Sequence, residues 1–384
     1  MSQQFPLEKF QNLKTPFYFY DMNLLERTLQ EVKSNSDKYG FVVHYAIKAN
    51  ANIRLLEMIK RFGFGVDCVS GYEIKRALEV GFSPEGIVYA GVGKADWEIE
   101  LGIDNNISCF NVESLPELEV INKIAATKNK TVNVAIRINP NVNANTHHYI
   151  TTGLDDNKFG VNQADLEHVM DALVDLKHIH LQGLHFHIGS QITDLTSFKE
   201  LSVRVNELQQ WCIARNLSPT VINVGGGLGI DYDNPDDNPI PNFKDYFKIF
   251  NDGLELQPNQ QVHFELGRSL VGQCGNLISR VLYIKEGIKT QFAIIDAGMT
   301  ELIRPALYDA YHKVENLSSE APLAEYDVVG PICESSDSFG QKTPLPGTSR
   351  GDIIAIRSAG AYGEVMASQY NLRPLPKSYY SDQL

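Results

Sequence analysis

Several apolar runs in this sequence end on side chains able to do chemistry. HYAIK ends on Lys48, GVD on Asp67, CFN on Asn111, AIR on Arg137, LHFH on His185 and His187, and HFELGR on Glu265 and Arg268. The run VINV leads into Gly225, Gly226 and Gly227, with Gly229 just beyond Leu228. A lysine at a strand end can bind phosphate as a cation, attack a carbonyl as an amine, or form a plain salt bridge. As an amine it must shed its proton, which partial burial and nearby cations favour. His187 can stack on a flat ligand, exchange a proton, or simply pack. Glu265 can accept a hydrogen bond from a protonated ring nitrogen, keep that nitrogen charged and so strengthen an electron sink. Consecutive glycines allow close backbone approach and leave amides free to face a phosphate. They do not form the dinucleotide GxGxxG pattern with its acidic partner. Any one of these residues could be a solvated strand end or part of a core polar network. Lysine, phosphate cradle, flat ring and inward carboxylate together point to pyridoxal 5'-phosphate. A Schiff-base aldolase without cofactor would use the same lysine and phosphate site, with less need of Glu265.

The positioning elements are legible from periodicity. Eight short apolar runs, at 42–48, 65–70, 87–91, 107–112, 132–140, 181–189, 221–227 and 262–268, alternate with segments of helical period such as NIRLLEMIKRF and SLPELEVINKIAA. Alternation of this kind predicts a parallel sheet covered by helices, and eight units fit a closed (β/α)8 TIM-like barrel better than an open sheet. The strand ends then converge on one mouth, where barrels commonly bind phosphate after strands seven and eight. Loops at 141–162 and 231–242 fall on that same face. From about residue 270 the pattern becomes short β-like runs separated by Gly, Pro and polar turns, with no long helix. The expected division is a cofactor-binding barrel over 25–269 and a mostly β domain built from 1–24 and 270–384, with TPFYFYD joining the latter's sheet.

The 384 residues carry 34 Lys plus Arg against 47 Asp plus Glu, a net charge of -13, which argues against a nucleic-acid binder needing a basic footprint. No apolar stretch has the length of a membrane span and no secretory leader is recognisable. Five cysteines, at 68, 109, 212, 274 and 333, include no CxxC pair, so neither a disulfide scaffold nor a metal site is expected and a reducing cytoplasm is the natural home.

With these motifs in place, the sequence resembles the fold-type III, alanine-racemase-like pyridoxal-phosphate decarboxylases over nearly its whole length, and among them the diaminopimelate decarboxylase family. HYAIKANAN resembles the family's lysine segment and implies that Lys48 is the Schiff-base lysine, with Asp67 in the cofactor-binding set. GLHFHIGSQ implies that His187 stacks on the pyridine ring and Ser190 helps hold the phosphate, while NVGGGLGI supplies the phosphate glycines Gly225, Gly226 and Gly227. FELGR resembles the family's Glu-Pro-Gly-Arg motif with Leu266 in place of proline. It implies Glu265 facing the ring nitrogen, Gly267 near the phosphate and Arg268 on a carboxylate. DAGMTELIRPALYDAYH resembles the diaminopimelate enzymes more than the ornithine or arginine branches, and gives Arg304 and Tyr308 the substrate's far carboxylate and its surroundings. GPICESSD supplies Cys333 as proton donor and Glu334 for the distal ammonium, with Asp337 a lesser candidate, and AGAYGEVMASQYN places Tyr362 against the cofactor. In this family the Cys333 and Glu334 positions serve the partner subunit's site, which implies a homodimer. A second departure is Tyr72 in SGYE, where glycine is more usual.

The resemblance implies conversion of meso-2,6-diaminopimelate to L-lysine and carbon dioxide, the last step of lysine biosynthesis. A related decarboxylase acting on ornithine, lysine or a carboxylated polyamine would not need Arg304. A fold-type III alanine racemase pairs its lysine with a catalytic tyrosine and would not need GPICES or ELIRPALY. A non-catalytic cofactor carrier would need none of Cys333, Glu334 and Arg304.

Overall fold

Short runs that are apolar on both faces need cover on both faces, and a closed parallel sheet wrapped in helices provides it. The structure, a computed structural model, describes residues 5–142 and 158–384, so most of the loop expected at 141–162 lies outside the described residues. After a first strand, β1 (Phe17–Tyr20), come β2 (Val42–Ala46), β3 (Gly65–Cys68), β4 (Ile87–Tyr89), β5 (Cys109–Val112), β6 (Val132–Arg137), β7 (Ile179–His185), β8 (Val221–Asn223) and β9 (Gln261–Leu266). Each pairs in parallel with the next, and β9 pairs with β2 to close an eight-stranded barrel. Every expected run overlaps one of these strands, with β7 and β9 starting two residues and one residue ahead of their runs.

Local sequence sets the helix starts between them. Asn52, Ser70, Ser114 and Asn242 each accept, through their side chains, a hydrogen bond from a backbone amide in the first turn that follows. The segment around GKADWEIELGI forms the helix Asp96–Asp104. The helix Phe243–Gly253 lays Tyr246, Phe247 and Phe250 against Phe264 of β9, with ring centroids 5.6, 4.9 and 5.2 Å away, and Phe41 closes the cluster at 5.1 Å. Phe264 has no exposed surface.

Alternation along β9 turns Phe264 outward and His263 and Glu265 inward. His263 Nδ1 lies 3.0 Å from His44 Nε2, and His44 Nδ1 is 3.2 Å from the carbonyl of Gly86. Burial drives His263 down to about 3, with the nearby His44 ring adding to the effect, and burial lowers His44 as well. Two neutral histidines therefore fill barrel interior that Val, Ile and Leu usually occupy.

The chain divides into two compact units. One comprises Leu29–Gly229 with Asn242–Gly267, and the other Met1–Thr28, Ile230–Pro241 and Arg268–Leu384. The expected barrel limits, 25–269, thus shift to 29–267, with Arg268 in the β unit, and inside them Ile230–Pro241 also groups with the β unit. The reason is chemical, since Tyr232 bonds Arg268 and Arg304, and Asp236 pairs with Arg357.

In the β unit β10 (Gly275–Glu286), β11 (Gln291–Ile295), β12 (Val314–Asn316), β13 (Leu323–Val329), β14 (Ser338–Pro346) and β15 (Ile353–Ile356) form a sheet in the order β12-β15-β10-β11-β13-β14. β1 pairs antiparallel with β10 and parallel with β16 (Lys377–Tyr380), which places TPFYFYD in this sheet. Phe10, Phe17, Phe19, Ile278, Ile353 and Ala355 form a buried apolar cluster on it.

Truncating Phe264 would open a cavity beneath the helix Phe243–Gly253. Phe264→Ala is expected to cost about 3–5 kcal/mol of unfolding free energy, read from urea denaturation.

Candidate active site

Asp67, Asn111, His185 and Glu265 come from β3, β5, β7 and β9, alternate strands of the barrel, and all are buried. Alternate strands contribute the four side chains of one interior layer. In this layer an apolar plug is replaced by two carboxylates, an amide and an imidazole. Glu265 organises it: Oε1 accepts from Asn111 Nδ2 at 2.9 Å and from Asn223 Nδ2 at 2.7 Å, and Oε2 lies 2.9 Å from His185 Nε2. Burial works to raise this carboxyl, but the charge and hydrogen bond of His185, the charge of Lys48 and the Asn223 bond outweigh it and hold it far below the usual range. A carboxylate offers about four acceptor positions. Three are filled, which leaves room on Oε2 for one more donor.

Lys48 lies in a single helical turn directly after β2, and its Nζ is 3.2 Å from Asp67 Oδ2. Burial and the Glu265 charge push Asp67 up to about 6 against the pull of Lys48. Arg137 is committed to a buried ion pair with Glu113 at 2.8 Å. His187 and Ser190 follow β7, both half-buried. Burial, with the charges of Arg137 and Lys48, keeps the His187 imidazole well below its ordinary value and therefore neutral.

The glycines after β8 are required by backbone proximity as much as by any ligand. A Cβ on Gly226 would sit 1.9 Å from the Glu265 carbonyl oxygen, and one on Gly225 2.3 Å from that of Phe186. Gly227 takes φ +107, a conformation that disfavours other residues. The Gly225 amide donates to Asn223 Oδ1 at 2.9 Å and that of Gly226 to His187 Nδ1 over a long 3.4 Å. The Gly227 amide has no acceptor among the described residues. Buried Asp67 Oδ1 and His185 Nδ1 also lack partners. Open polar atoms, a lysine and a side-chain-free cradle match the needs of pyridoxal phosphate: an amine anchor, amides for phosphate and an anion for a ring nitrogen.

Within the β unit, Arg268, Arg304 and Tyr232 form a second buried cluster. Nη1 of each arginine donates to the Tyr232 hydroxyl, at 2.6 and 2.8 Å. The Tyr362 ring, held at φ +56, lies 4.9 Å from the Arg268 guanidinium carbon. Tyr308 ends the helix Arg304–Tyr308 and is half-buried. Cys333 and Glu334 are exposed; Glu334 Oε1 accepts from Tyr370 at 2.6 Å. Asp337 is turned inward instead, accepting from the amides of Met299 at 2.6 Å and Ile332 at 2.7 Å, so it anchors the GPICES loop and is not presented to a ligand.

Both sequence departures are accommodated. Leu266, fully buried, ends β9 opposite Tyr45 and leaves Glu265 and Arg268 on the chain where the motif has them. Tyr72 is 71 % exposed and packs on Trp97 at 5.3 Å, outside the polar layer. Asn111 and His185 are legible as polar strand ends, though their spacing assigns them no chemistry. Asn223, His312 and Tyr232 gain theirs only from contacts between distant segments. An asparagine closing an apolar strand, as in VIN, was the available signal for Asn223.

Comparison with known proteins agrees with this chemistry. A sequence profile described as "Pyridoxal-dependent decarboxylase, pyridoxal binding domain" matches residues 23–272. The diaminopimelate decarboxylase of Bacteroides thetaiotaomicron is 58% identical over 381 residues, covering 99% of each chain. Among solved structures, diaminopimelate decarboxylase from Helicobacter pylori in complex with L-lysine superposes with a TM-score of 0.91 at 39% identity, covering 98% of this chain and 94% of that one. The enzyme from M. jannaschii in co-complex with L-lysine gives 0.90 at 35% identity, with coverage of 98% and 89%. Barrel and β unit are thus those of a fold-type III pyridoxal-dependent decarboxylase. Within that class, the chain belongs to the diaminopimelate decarboxylase family.

The raised Asp67 value makes a signed prediction. Between 3.8 and about 6 the folded chain keeps a proton that the unfolded chain releases, so Asp67 subtracts stability as pH climbs through this window. In protein freed of pyridoxal phosphate, the melting temperature of Asp67→Asn relative to wild type should rise across the window and level off above it.

Proposed function

We infer that this protein decarboxylates meso-diaminopimelate to L-lysine, with pyridoxal phosphate as cofactor. The observation that carries the reading is the joint presence of the Glu265-centred layer, which fits the cofactor, and the buried Arg268–Arg304 pair, which fits a substrate carboxylate. A decarboxylase for a simple diamino acid has no second carboxylate to engage such a pair. The 58% identity to the Bacteroides thetaiotaomicron enzyme supports the same substrate.

Lys48 would anchor the cofactor covalently, Asp67 would pair with it, and His187 would offer a neutral flat ring to the pyridine. Gly225, Gly226, Gly227, Ser190 and Gly267 would hold the phosphate. When bound, pyridoxal phosphate supplies an electron sink for the pair left as carbon dioxide departs. Glu265, kept ionised by its donors, holds the ring-nitrogen proton in place. Arg268 and Arg304 orient the substrate through its far carboxylate, Tyr308 and Tyr362 flank it, and Glu334 takes the distal ammonium. Holding the scissile carboxylate in a productive direction replaces a large entropic cost. The Cys333 thiol then donates its proton to the carbon that lost carbon dioxide.

Cys333 and Glu334 are exposed on this chain, which supports their service in the site of a second copy and hence a homodimer. The five free cysteines fit a reducing compartment, so the cytoplasm is the proposed location. Among the described residues no helix is long and apolar enough to cross a membrane.

Carbon dioxide release from meso-diaminopimelate, its LL isomer, lysine, ornithine and arginine tests the substrate; preference for any but the meso form overturns it. Lys48→Ala should lose the visible absorbance of the bound cofactor together with activity. Mixing inactive Lys48→Ala with inactive Cys333→Ala subunits should restore part of the activity, because one site of each mixed dimer is intact. No recovery after verified subunit exchange would sink the shared site.

A further inference from the structure

The Tyr232 hydroxyl is held by two cations at once. It accepts from Arg268 Nη1 at 2.6 Å and from Arg304 Nη1 at 2.8 Å. A phenol oxygen has two lone pairs and one proton. Both lone pairs are occupied, so the hydroxyl can engage a third group only as a donor. No described residue accepts that proton, and Tyr232 is 8 % exposed. Burying a donor without an acceptor is costly, so the arrangement is incomplete until something accepts.

The neighbours say what that something is. Arg304 is 6 % exposed, and its hydrogen-bond partners are Tyr232 and His312, 2.8 Å away at Nε2. His312 Nδ1 is 2.8 Å from the Arg357 carbonyl, an arrangement that fixes the proton on Nδ1 and leaves Nε2 as acceptor. Burial and the charge of Arg304 push this imidazole down to about 3. Two neutral acceptors therefore orient Arg304 without cancelling its charge. Burial draws the guanidinium below its ordinary value, and the Arg268 charge works in the same direction. The missing acceptor must be small, planar enough for guanidinium forks, and anionic.

We propose that Tyr232 is a substrate-binding residue whose hydroxyl, clamped between Arg268 and Arg304, donates its proton to the substrate's far carboxylate. This rests on the decarboxylase reading and deepens it. Arginines alone attract any anion that fits. The single proton between them adds a directional requirement, so the carboxylate is recognised by the placement of an oxygen as well as by charge. Tyr232 also holds the two guanidiniums at one oxygen against their mutual repulsion.

The test compares two ligands on the holoenzyme by isothermal titration calorimetry. L-lysine retains the far carboxylate, and cadaverine is the same diamine without it. A hydrogen bond to a charged group is strong, so Tyr232→Phe should weaken L-lysine binding about tenfold or more while changing cadaverine by less than about twofold. Turnover of meso-diaminopimelate should show the loss chiefly in KM. Equal weakening of both ligands, or no change in either, overturns the proposal. If the phenylalanine form does not fold, Tyr232→Gln carries the same comparison, because its shorter donor should also lower L-lysine affinity selectively. A wild-type protein that binds L-lysine through Tyr232 but releases no carbon dioxide from meso-diaminopimelate would defeat the activity and leave the carboxylate receptor standing. A wild-type protein that binds no L-lysine defeats both.

Discussion

Keeping the Glu265 carboxylate charged inside a closed barrel is the constraint on which the cofactor site depends. Removing a carboxylate from water is expensive unless its oxygens are bonded and an opposite charge is near. Asn111, Asn223 and His185 fill three acceptor positions, and Lys48 contributes field from the end of β2. This arrangement dictates residue types on four different strands. The neighbouring Asp67 shifts the opposite way because burial raises it and the Glu265 charge adds to the rise. Elsewhere on the barrel strands the neutral His44–His263 pair and a buried apolar cluster of Val88, Cys109 and Ala135 add no further charge.

The β unit solves the converse problem. Two guanidiniums are buried near each other with neutral groups, Tyr232 and His312, as their bridges. Arg357, by contrast, is paired with Asp236 and Glu315 at 2.8 and 2.6 Å and is spent on structure. The chain as a whole carries a net charge of -13, so this buried pair of guanidiniums is a local exception to the overall acidic balance.

Much of this was legible in the sequence because it is local or periodic. Eight apolar runs with polar ends define the barrel and name Lys48, His187 and Glu265 without any coordinates. The missing part is contact between distant segments. Asn223 matters only because β8 lies beside β9, and a lone asparagine carries no sign of that. Tyr232 sits in a proline-rich loop that follows a barrel strand, yet the loop's partners are arginines from residue 268 onward, so its grouping with the β unit is invisible to composition. Asp337 shows the reverse failure: an acid next to a reactive motif looks functional, and only its bonds to the Met299 and Ile332 amides reveal an anchor.

The contact between Gly226 and the Glu265 carbonyl has a consequence for how such an enzyme can change. The turn that would hold a phosphate and the strand that carries the carboxylate meet backbone to backbone, with no side chain between them. Their spacing works as a fixed caliper. Substitutions elsewhere can tune the substrate, but no side-chain exchange at this contact can lengthen or shorten the gap. Lineages that alter what the fold acts upon must therefore inherit the same measure of cofactor length.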